Sequence, residues 1–476
     1  MSRTTRVDGR RDAVALAALM AGTLLAPLNS SMVAVALYPV QQDLGASLGA
    51  ATWMVTSFYL AACVAQPVMG RIADRTGPRA LFVGGMLLAS AASAAAPFVT
   101  DVAGLVVCRS LLAVGVSTSF PCALILVRRG GGSGRQLGRI AVVNTTAGAV
   151  GPVLGGLLTG WAGWPAIFWV NLPLTLGAVA VAAFRLPGRE RGPVPDGRLP
   201  GGIDILGVLL FAGGMLALLR VMLALPRVEP VTVVAAVSLL IGFVVREARY
   251  RAPFIDVTAL WSHRGLVPVL SIFVLFNLTY YSAFYGLPQW FQGSLGLDPA
   301  AAGLLVLPIA ATSVLATMAG SWALRVASSE RLAFFSALLL LAGVAVLLVF
   351  DASTPLTIVV LVGVLLGIPY GLGNLVMQQQ MYDRAPDRLT GLVGGLFQSA
   401  RYIGAILAVG LVGACAPTGP AAVGDLTTLA YAMTVVAVLV LAAVAADSVL
   451  ARRRTAAIGW TALVPSAGST RGDHHG

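Results

Sequence analysis

The chain of 476 residues contains no lysine at all: its 31 basic side chains are all arginine. Chemistry-bearing residues are scarce. The three histidines, His263, His474 and His475, fall in a loop and in the tail, which excludes a histidine metal site or proton relay within the apolar segments. The four cysteines, Cys63, Cys108, Cys122 and Cys415, all lie inside apolar segments without metal-ligand spacing. They read as packing residues and cannot supply an extracellular disulfide framework. Charged residues are only 11% of the chain against 58% hydrophobic, a balance that no water-soluble domain of this size shows. No cofactor and no metal is expected. The short, arginine-bearing N-terminus runs straight into a long apolar helix, so no cleaved signal peptide is expected.

What is there is apolar sequence in long blocks. At about 20 apolar residues per span, the chain has room for a dozen or more membrane helices. Apolar segments recur at 13–37, 51–70, 80–98, 102–126, 138–160 and 165–184, then at 204–225 and 231–245. Six more follow at 266–291, 300–324, 332–350, 355–381, 391–414 and 424–446. The expected class is an all-α membrane protein of fourteen helices. Its expected parts are a tail (1–12), a six-helix bundle (13–184), a linker (185–202), two additional helices (203–245), an interfacial linker (246–265), a second six-helix bundle (266–446) and a disordered tail (447–476). In the second linker Phe254, Ile255, Leu260 and Trp261 are placed to dip into lipid.

Arginine placement tests this count. With the N-terminus cytoplasmic, 27 of the 31 arginines fall in cytoplasmic loops and tails; only Arg220 and Arg227 fall outside, with Arg109 and Arg401 inside helices. One helix more or fewer would destroy the asymmetry, so both termini are expected on the cytoplasmic face of a multi-pass inner-membrane protein. The net charge of +12 therefore follows topology and is not the footprint of nucleic acid, which is excluded as a partner.

The run Gly70 to Arg79, GRIADRTGPR, sets four charged groups and three turn-formers between two apolar segments. It cannot lie in hydrocarbon and reads as a surface hairpin. Gly70 permits close helix approach, Asp74 can cap or face a helix N-terminus, and Arg71, Arg75 and Arg79 suit the cytoplasmic side. With Gly77, this order resembles the loop between helices two and three of the major facilitator superfamily. The six-two-six layout resembles its fourteen-helix drug:proton antiporter family, across roughly residues 13 to 446. The fifth segment, NTTAGAVGPVLGGLLTG, presents Ala147, Gly151, Gly155 and Gly156 as a small-residue packing face, with Pro152 bending the helix. Its GPVLGG resembles the superfamily's antiporter motif. Further likenesses lie in GWPAIFWVNLPLTL, in APFIDVTALWSHRG and in LPQWFQGSLGLDPAAAGLLVLP.

The resemblance implies two pseudo-symmetric bundles around a midplane cavity, with export of a small molecule by alternating access in exchange for protons. It implies that Asp74 meets the helix-thirteen N-terminus near Gly391 as a latch, and that the glycine-rich helix five is a pivot. Arg109, in CRSLLAVG, resembles the family's R-x-x-Q-G-x-G pattern with Leu112 and Ala113 in place of Gln and the first Gly. Arg401, in LFQSARYIGA with Gln398 one turn earlier, matches a family arginine. Both are assigned to coupling, because a buried guanidinium needs partners or water. The departure is in LNSSMVAVALYP, where Asn29 stands at the family's aspartate position. No other of the 19 acidic residues falls mid-span. A cavity with two guanidinium groups and no carboxylate repels organic cations, so a neutral or anionic natural product is the expected cargo. The loss of that acid also weakens the case for proton coupling.

Candidate wall residues on the cavity-facing helices are Asn29, Ser30, Met32, Thr56, Tyr59, Ser117, Asn277, Tyr280, Tyr281, Tyr285, Asn374, Gln378 and Gln398, any of which could instead be interhelical glue. A monomer in the lipid bilayer is expected. The rivals are a lipid or glycolipid flippase on the same scaffold and a transport-inactive membrane sensor. A membrane enzyme would need converging His, Asp or Glu at the interface, and the census offers none.

Overall fold

The computed structural model describes residues 9–129, 134–185, 204–224, 228–250, 253, 265–351, 353–385, 390–415 and 426–463. The expected linkers, with Phe254, Ile255, Leu260 and Trp261, therefore lie largely outside the described residues. Within them are sixteen α-helices and no strand. They are α1 (Gly9–Asp43), α2 (Leu48–Thr76), α3 (Pro78–Ala95), α4 (Val102–Ser117), α5 (Ser119–Arg129), α6 (Gly134–Ala162), α7 (Ala166–Trp169) and α8 (Asn171–Arg185). Next come α9 (Ile205–Leu223), α10 (Pro230–Arg249), α11 (Leu266–Gly293), α12 (Pro299–Ala323), α13 (Ser329–Val346), α14 (Leu356–Arg384), α15 (Thr390–Ala414) and α16 (Leu426–Leu463).

Fourteen of the resulting segments are long and apolar enough to cross a membrane, because α4 with α5 and α7 with α8 each form one span. The two interruptions have local causes. Ser117 and Thr118 hydroxyls donate back to the carbonyls of Ala113 and Gly115, which bends the fourth span. Pro173 has no N–H to offer Trp169, so the sixth span is broken near Val170. Caps are supplied where the backbone needs them: Ser47, Asp101, Asp204, Asp298 and Ser328 accept from the first free amides of α2, α4, α9, α12 and α13.

One boundary differs from expectation. The last helix runs to Leu463, past the expected end at 446 and into the tail expected to be disordered. Its continuation, ADSVLARRRTAAIGWTAL, contains no Pro and a single glycine, Gly459, and is rich in strong helix formers.

The pairings repeat. In the first half α1 packs on α6 and α8, α2 on α4, and α3 on α4 and α8; in the second half α11 packs on α15 and α16, α12 on α14, and α13 on α14 and α16. The two six-span bundles are thus related by a pseudo-two-fold, and they meet through α6 with α12, α2 with α15, and α1 with α11. The additional pair α9–α10 leans on α15 and α2 through α9. Much of α10 presents aliphatic residues outward, among them Val234, Val237 and Ile241, as a lipid-facing helix does.

The start of the first helix at Gly9 and the end of the last at Leu463 lie on one face of this bundle, as an even number of spans requires. That face also carries the α2–α3 turn, the Asp204–Arg246 pair and the Arg384–Asp447 pair. It is called the arginine-rich end below; Asp43, Asp101, Asp298 and Asp351 mark the opposite end.

Candidate functional site

Between the bundles lies a cavity of about 1070 Å³. Its described lining residues sit at mid-depth or nearer the arginine-rich end on every helix, for example Thr23 to Ser31 of α1, Tyr59 to Gln66 of α2, and Leu396 to Tyr402 of α15. The cavity therefore faces that end. Toward the opposite end the bundles are shut.

Closure begins at mid-depth. Tyr59 of α2 and Tyr285 of α11 join hydroxyls at 2.7 Å, and Tyr285 donates onward to the Ser30 carbonyl at 2.9 Å. Farther out, Gln289 and Gln292 of α11 donate to the Ala34 and Val35 carbonyls of α1. These three donors recur about every turn of α11 and bind two neighbouring turns of α1, the second through the adjacent Ala34 and Val35 carbonyls. Beside them α6 and α12 cross with their backbones in contact. A Cβ on Gly156 would run into the Pro299 carbonyl, and one on Gly303 would lie 2.5 Å from the Pro152 carbonyl.

The small-residue face expected on the fifth span is thus two faces. Gly151 and Gly155 abut Ser31 and Met32 of α1 within the first bundle; Gly156, with the Pro152 carbonyl, meets the second bundle. Glycine is required at both because side chains would collide with backbone.

Among the expected wall residues, Tyr59, Tyr281, Asn374 and Gln398 border the cavity, as do Ser30, Tyr280 and Gln378, and so does Arg401, which was assigned to coupling. Six others stand elsewhere, and the expectation is corrected for each. Asn29 is buried and exchanges two amide hydrogen bonds with Asn171, at 2.8 and 2.9 Å. Met32 is sealed beneath Gly155. Thr56 is buried and does not border the cavity. Asn277 donates to the Phe273 carbonyl and sits under Gly404 of α15. Tyr285 closes the cavity floor through the bonds above. In each case helix rotation turns the side chain away from the cavity; Asn29 and Tyr285 find partners there, whereas Thr56 Oγ1 and Asn277 Oδ1 are buried without one among the described residues. Ser117 is likewise spent on its own helix.

The two arginines have opposite fates. Arg109 is 1% exposed and bonds the Met54 and Asn29 carbonyls, both at 3.3 Å, with its guanidinium 4.5 Å from the Phe58 ring centre. It clasps α1 to α2 behind the cavity wall. Arg401 borders the cavity, donates to Asn374 at 3.3 Å and lies over Phe397. Sequence reasoning passed over Gln66, Asn144, Tyr370 and Tyr402, which also line the cavity. Their signal was polarity inside an apolar run, as in VAQPV and GIPYG. Gln66 donates to the Tyr402 hydroxyl at 2.8 Å, bridging α2 and α15.

At the hairpin, Gly77 takes φ +95°, a backbone conformation open to glycine, and this lets α3 begin at Pro78 directly after α2 ends. Arg79 donates to the Ala183 carbonyl and ties the hairpin to α8. Gly70 is not a tight point: a Cβ there would meet Pro121 at 3.8 Å, an ordinary contact. The first bundle's close approach is instead at Gly85 and Gly115, whose added Cβ atoms would strike each other's helices. The side chains of Arg71, Asp74 and Arg75, and the surroundings of Gly391, lie outside the described residues, so the latch does too.

Apart from Asp447, which lies inside α16 and pairs with Arg384, the carboxylates whose side chains are described sit at or near helix ends. Asp204 caps α9; burial pushes its pKa up, but hydrogen bonds from Arg246 and the Gly207 amide win and hold it below the usual range. Asp351, in the turn before α14, is likewise held low by the hydroxyl and amide of Ser353.

Comparison with known proteins gives this arrangement its place. The profile of the Major Facilitator Superfamily matches residues 19–409. The MFS-type transporter YwoD of Bacillus subtilis is 36% identical over 406 residues, 84% of this chain and 89% of that protein. The tetracenomycin C resistance and export protein of Streptomyces glaucescens is 28% identical, across 84% of this chain and 74% of that one. Among solved structures, the nucleoside transporter NupG (D323A mutant) superposes with a TM-score of 0.66 at 12% identity, covering 91% of this chain and 99% of that one, a likeness of fold. Fourteen apolar spans, two pseudo-symmetric bundles and this match place the chain in the Major Facilitator Superfamily of multi-pass membrane transporters.

Proposed function

We propose that the chain exports a drug-sized, neutral or anionic small molecule across the cytoplasmic membrane by alternating access. The observation that carries the reading is the cavity between the bundles, open toward one end and shut at the other by a glycine–proline crossing and a ladder of side-chain-to-carbonyl bonds. Such a closure can part as a unit when the bundles rock, because most of its contacts run between the bundles and not within them. The arginine-rich end is assigned to the cytoplasm by the distribution of charge. The structure then corresponds to a state that loads from inside. Antibiotic export by a relative such as the tetracenomycin C protein points the same way. Arg401 is the charged residue among the described lining, and no carboxylate accompanies it, which favours neutral or anionic cargo over organic cations. Exchange for protons is the coupling implied by the family resemblance.

Uptake into inverted membrane vesicles, with and without an imposed pH gradient, tests all three parts against a panel of anionic, neutral and cationic aromatic compounds. Gradient-driven accumulation of neutral and anionic members is expected. Efficient transport of ethidium would sink the charge argument; flux indifferent to the gradient would remove proton antiport; no flux with any compound would remove export.

A further inference from the structure

The guanidinium of Arg401 stands in the cavity wall as a charge with spare donors. A guanidinium has five N–H donors and stays protonated at any accessible pH. Among the described residues Arg401 makes one hydrogen bond, to Asn374, and no ion pair; its Nε is buried without a partner. The side chain is held in place all the same. Asn374 donates its own amide to the Tyr370 carbonyl at 3.1 Å, which turns its oxygen toward Arg401. On the other side Phe397, stacked on Phe273 at 3.9 Å between ring centres, lies against the guanidinium. Arg109 differs in position: its Nη2 is also buried without a partner, but it sits behind the wall, held by two carbonyls and a ring, and does not border the cavity.

The wall around Arg401 is aromatic. Tyr59 stands 5.6 Å from Tyr402 and 6.1 Å from Tyr281, and Tyr281 stands 6.0 Å from Tyr370, measured between ring centres. All four border the cavity. Ring faces with hydroxyls at their rims suit a flat aromatic body, by stacking on its plane and bonding its edge.

Resting on the exporter reading, we propose that Arg401 is the docking group for an acidic substituent, a carboxylate or an ionised enol or phenol, carried on a planar aromatic cargo. The acid supplies the acceptors that the guanidinium lacks and brings the charge of the described wall to zero. The tyrosines take the ring system. Arg401 thereby sets specificity between an acid and its neutral derivative.

The full-length chain in detergent is titrated by equilibrium dialysis with two matched pairs, 2-naphthoate and anthraquinone-2-carboxylate, each beside its methyl ester. Wild type is expected to bind each acid at least about tenfold more tightly than the ester, the scale of a hydrogen bond to a charged group. Arg401→Gln brings the two within about twofold, while Arg401→Lys keeps part of the preference because charge persists without the planar fork. A measurement on wild type alone covers the case in which Arg401→Gln fails to fold: acid affinity falls as pH drops through the probe's own pKa, about 4 for a carboxylic acid, and ester affinity stays flat. Equal binding of acid and ester, an acid preference that survives Arg401→Gln, or no binding of either form to folded protein overturns the assignment. Acid binding without vesicle flux would instead leave Arg401 standing and remove export. Flux of esters equal to that of acids would do the reverse.

Discussion

Arg109 and Arg401 look alike in sequence, each a lone cation in an apolar helix, and the depth of burial separates them. A charge in hydrocarbon is tolerated only with partners or water, a rule that flags both without telling which partner each finds. Their neighbours decide it: backbone carbonyls of α1 and α2 enclose Arg109, whereas Arg401 looks into the cavity. The same limit explains why Asn29, Met32, Thr56 and Asn277 were expected on the wall and are found away from it. Polarity in a span marks a residue as needing company, and a helix has several faces on which to find it. At this scale Tyr285→Phe is the sharpest test of the closure. It removes the donor to Ser30 and the acceptor for Tyr59, a loss of about 1–2 kcal/mol across the bundle boundary. Cross-linking or distance measurements between α1 and α11 should show the far end open more often, with transport slowed; an unchanged distance distribution would show that the tyrosines do not hold it. Asp204 gives a pH prediction. Its folded-state pKa is depressed, so its stabilisation is complete above the unfolded value near 4 and is lost as pH falls through the folded one. Asp204→Asn should lower the melting temperature at pH 7 and narrow the drop in stability between pH 5 and 3. If the Asn variant loses as much as wild type on acidification, the effect belongs to other groups.

Among the elements, α6 shows how much of a motif is readable. The run GAVGPVLGG announced a helix that packs closely, and it does so, with Pro152 inside a continuous helix. That one set of glycines serves α1 and a neighbouring glycine serves α12 was not readable, since it depends on how the helix is rotated between two partners. The difference is testable by adding a side chain. Gly156→Val places atoms into the Pro299 backbone and should prevent the far end from closing, lowering transport by at least about tenfold, the factor that corresponds to about 1.4 kcal/mol. Gly84→Ala, on an exposed face of α3 with nothing within 4 Å of the new Cβ, should leave transport intact and raise stability by about 0.5–1 kcal/mol. Equal behaviour of the two variants would mean that the crossing is not a gate.

The whole molecule is where charge has its say. In the proposed orientation twenty-seven arginines lie on one side and two on the other, and the open cavity faces the cytoplasm. On a background with the four cysteines replaced, Arg220→Cys and Arg331→Cys should separate cleanly. A membrane-impermeant thiol reagent added to intact cells should label the first, at the opposite end, and leave the second unlabelled until the membrane is inverted. Labelling in the reverse order would turn the molecule over and make the cavity outward-facing. The pairings α6–α12 and α2–α15 could be expected only by resemblance, for no local pattern in 476 residues states which helix of one bundle meets which of the other.

Hydrocarbon excludes charge and demands internal backbone bonding, so the run lengths by themselves determined fourteen helices, and the arginines the proposed orientation. Those are local, additive properties of the chain. Which polar groups face the cavity, which glycines meet across the bundles and which end is shut were decided only by tertiary structure. They depend on the rotation of each helix about its own axis against partners hundreds of residues away, and a period of 3.6 leaves that angle free.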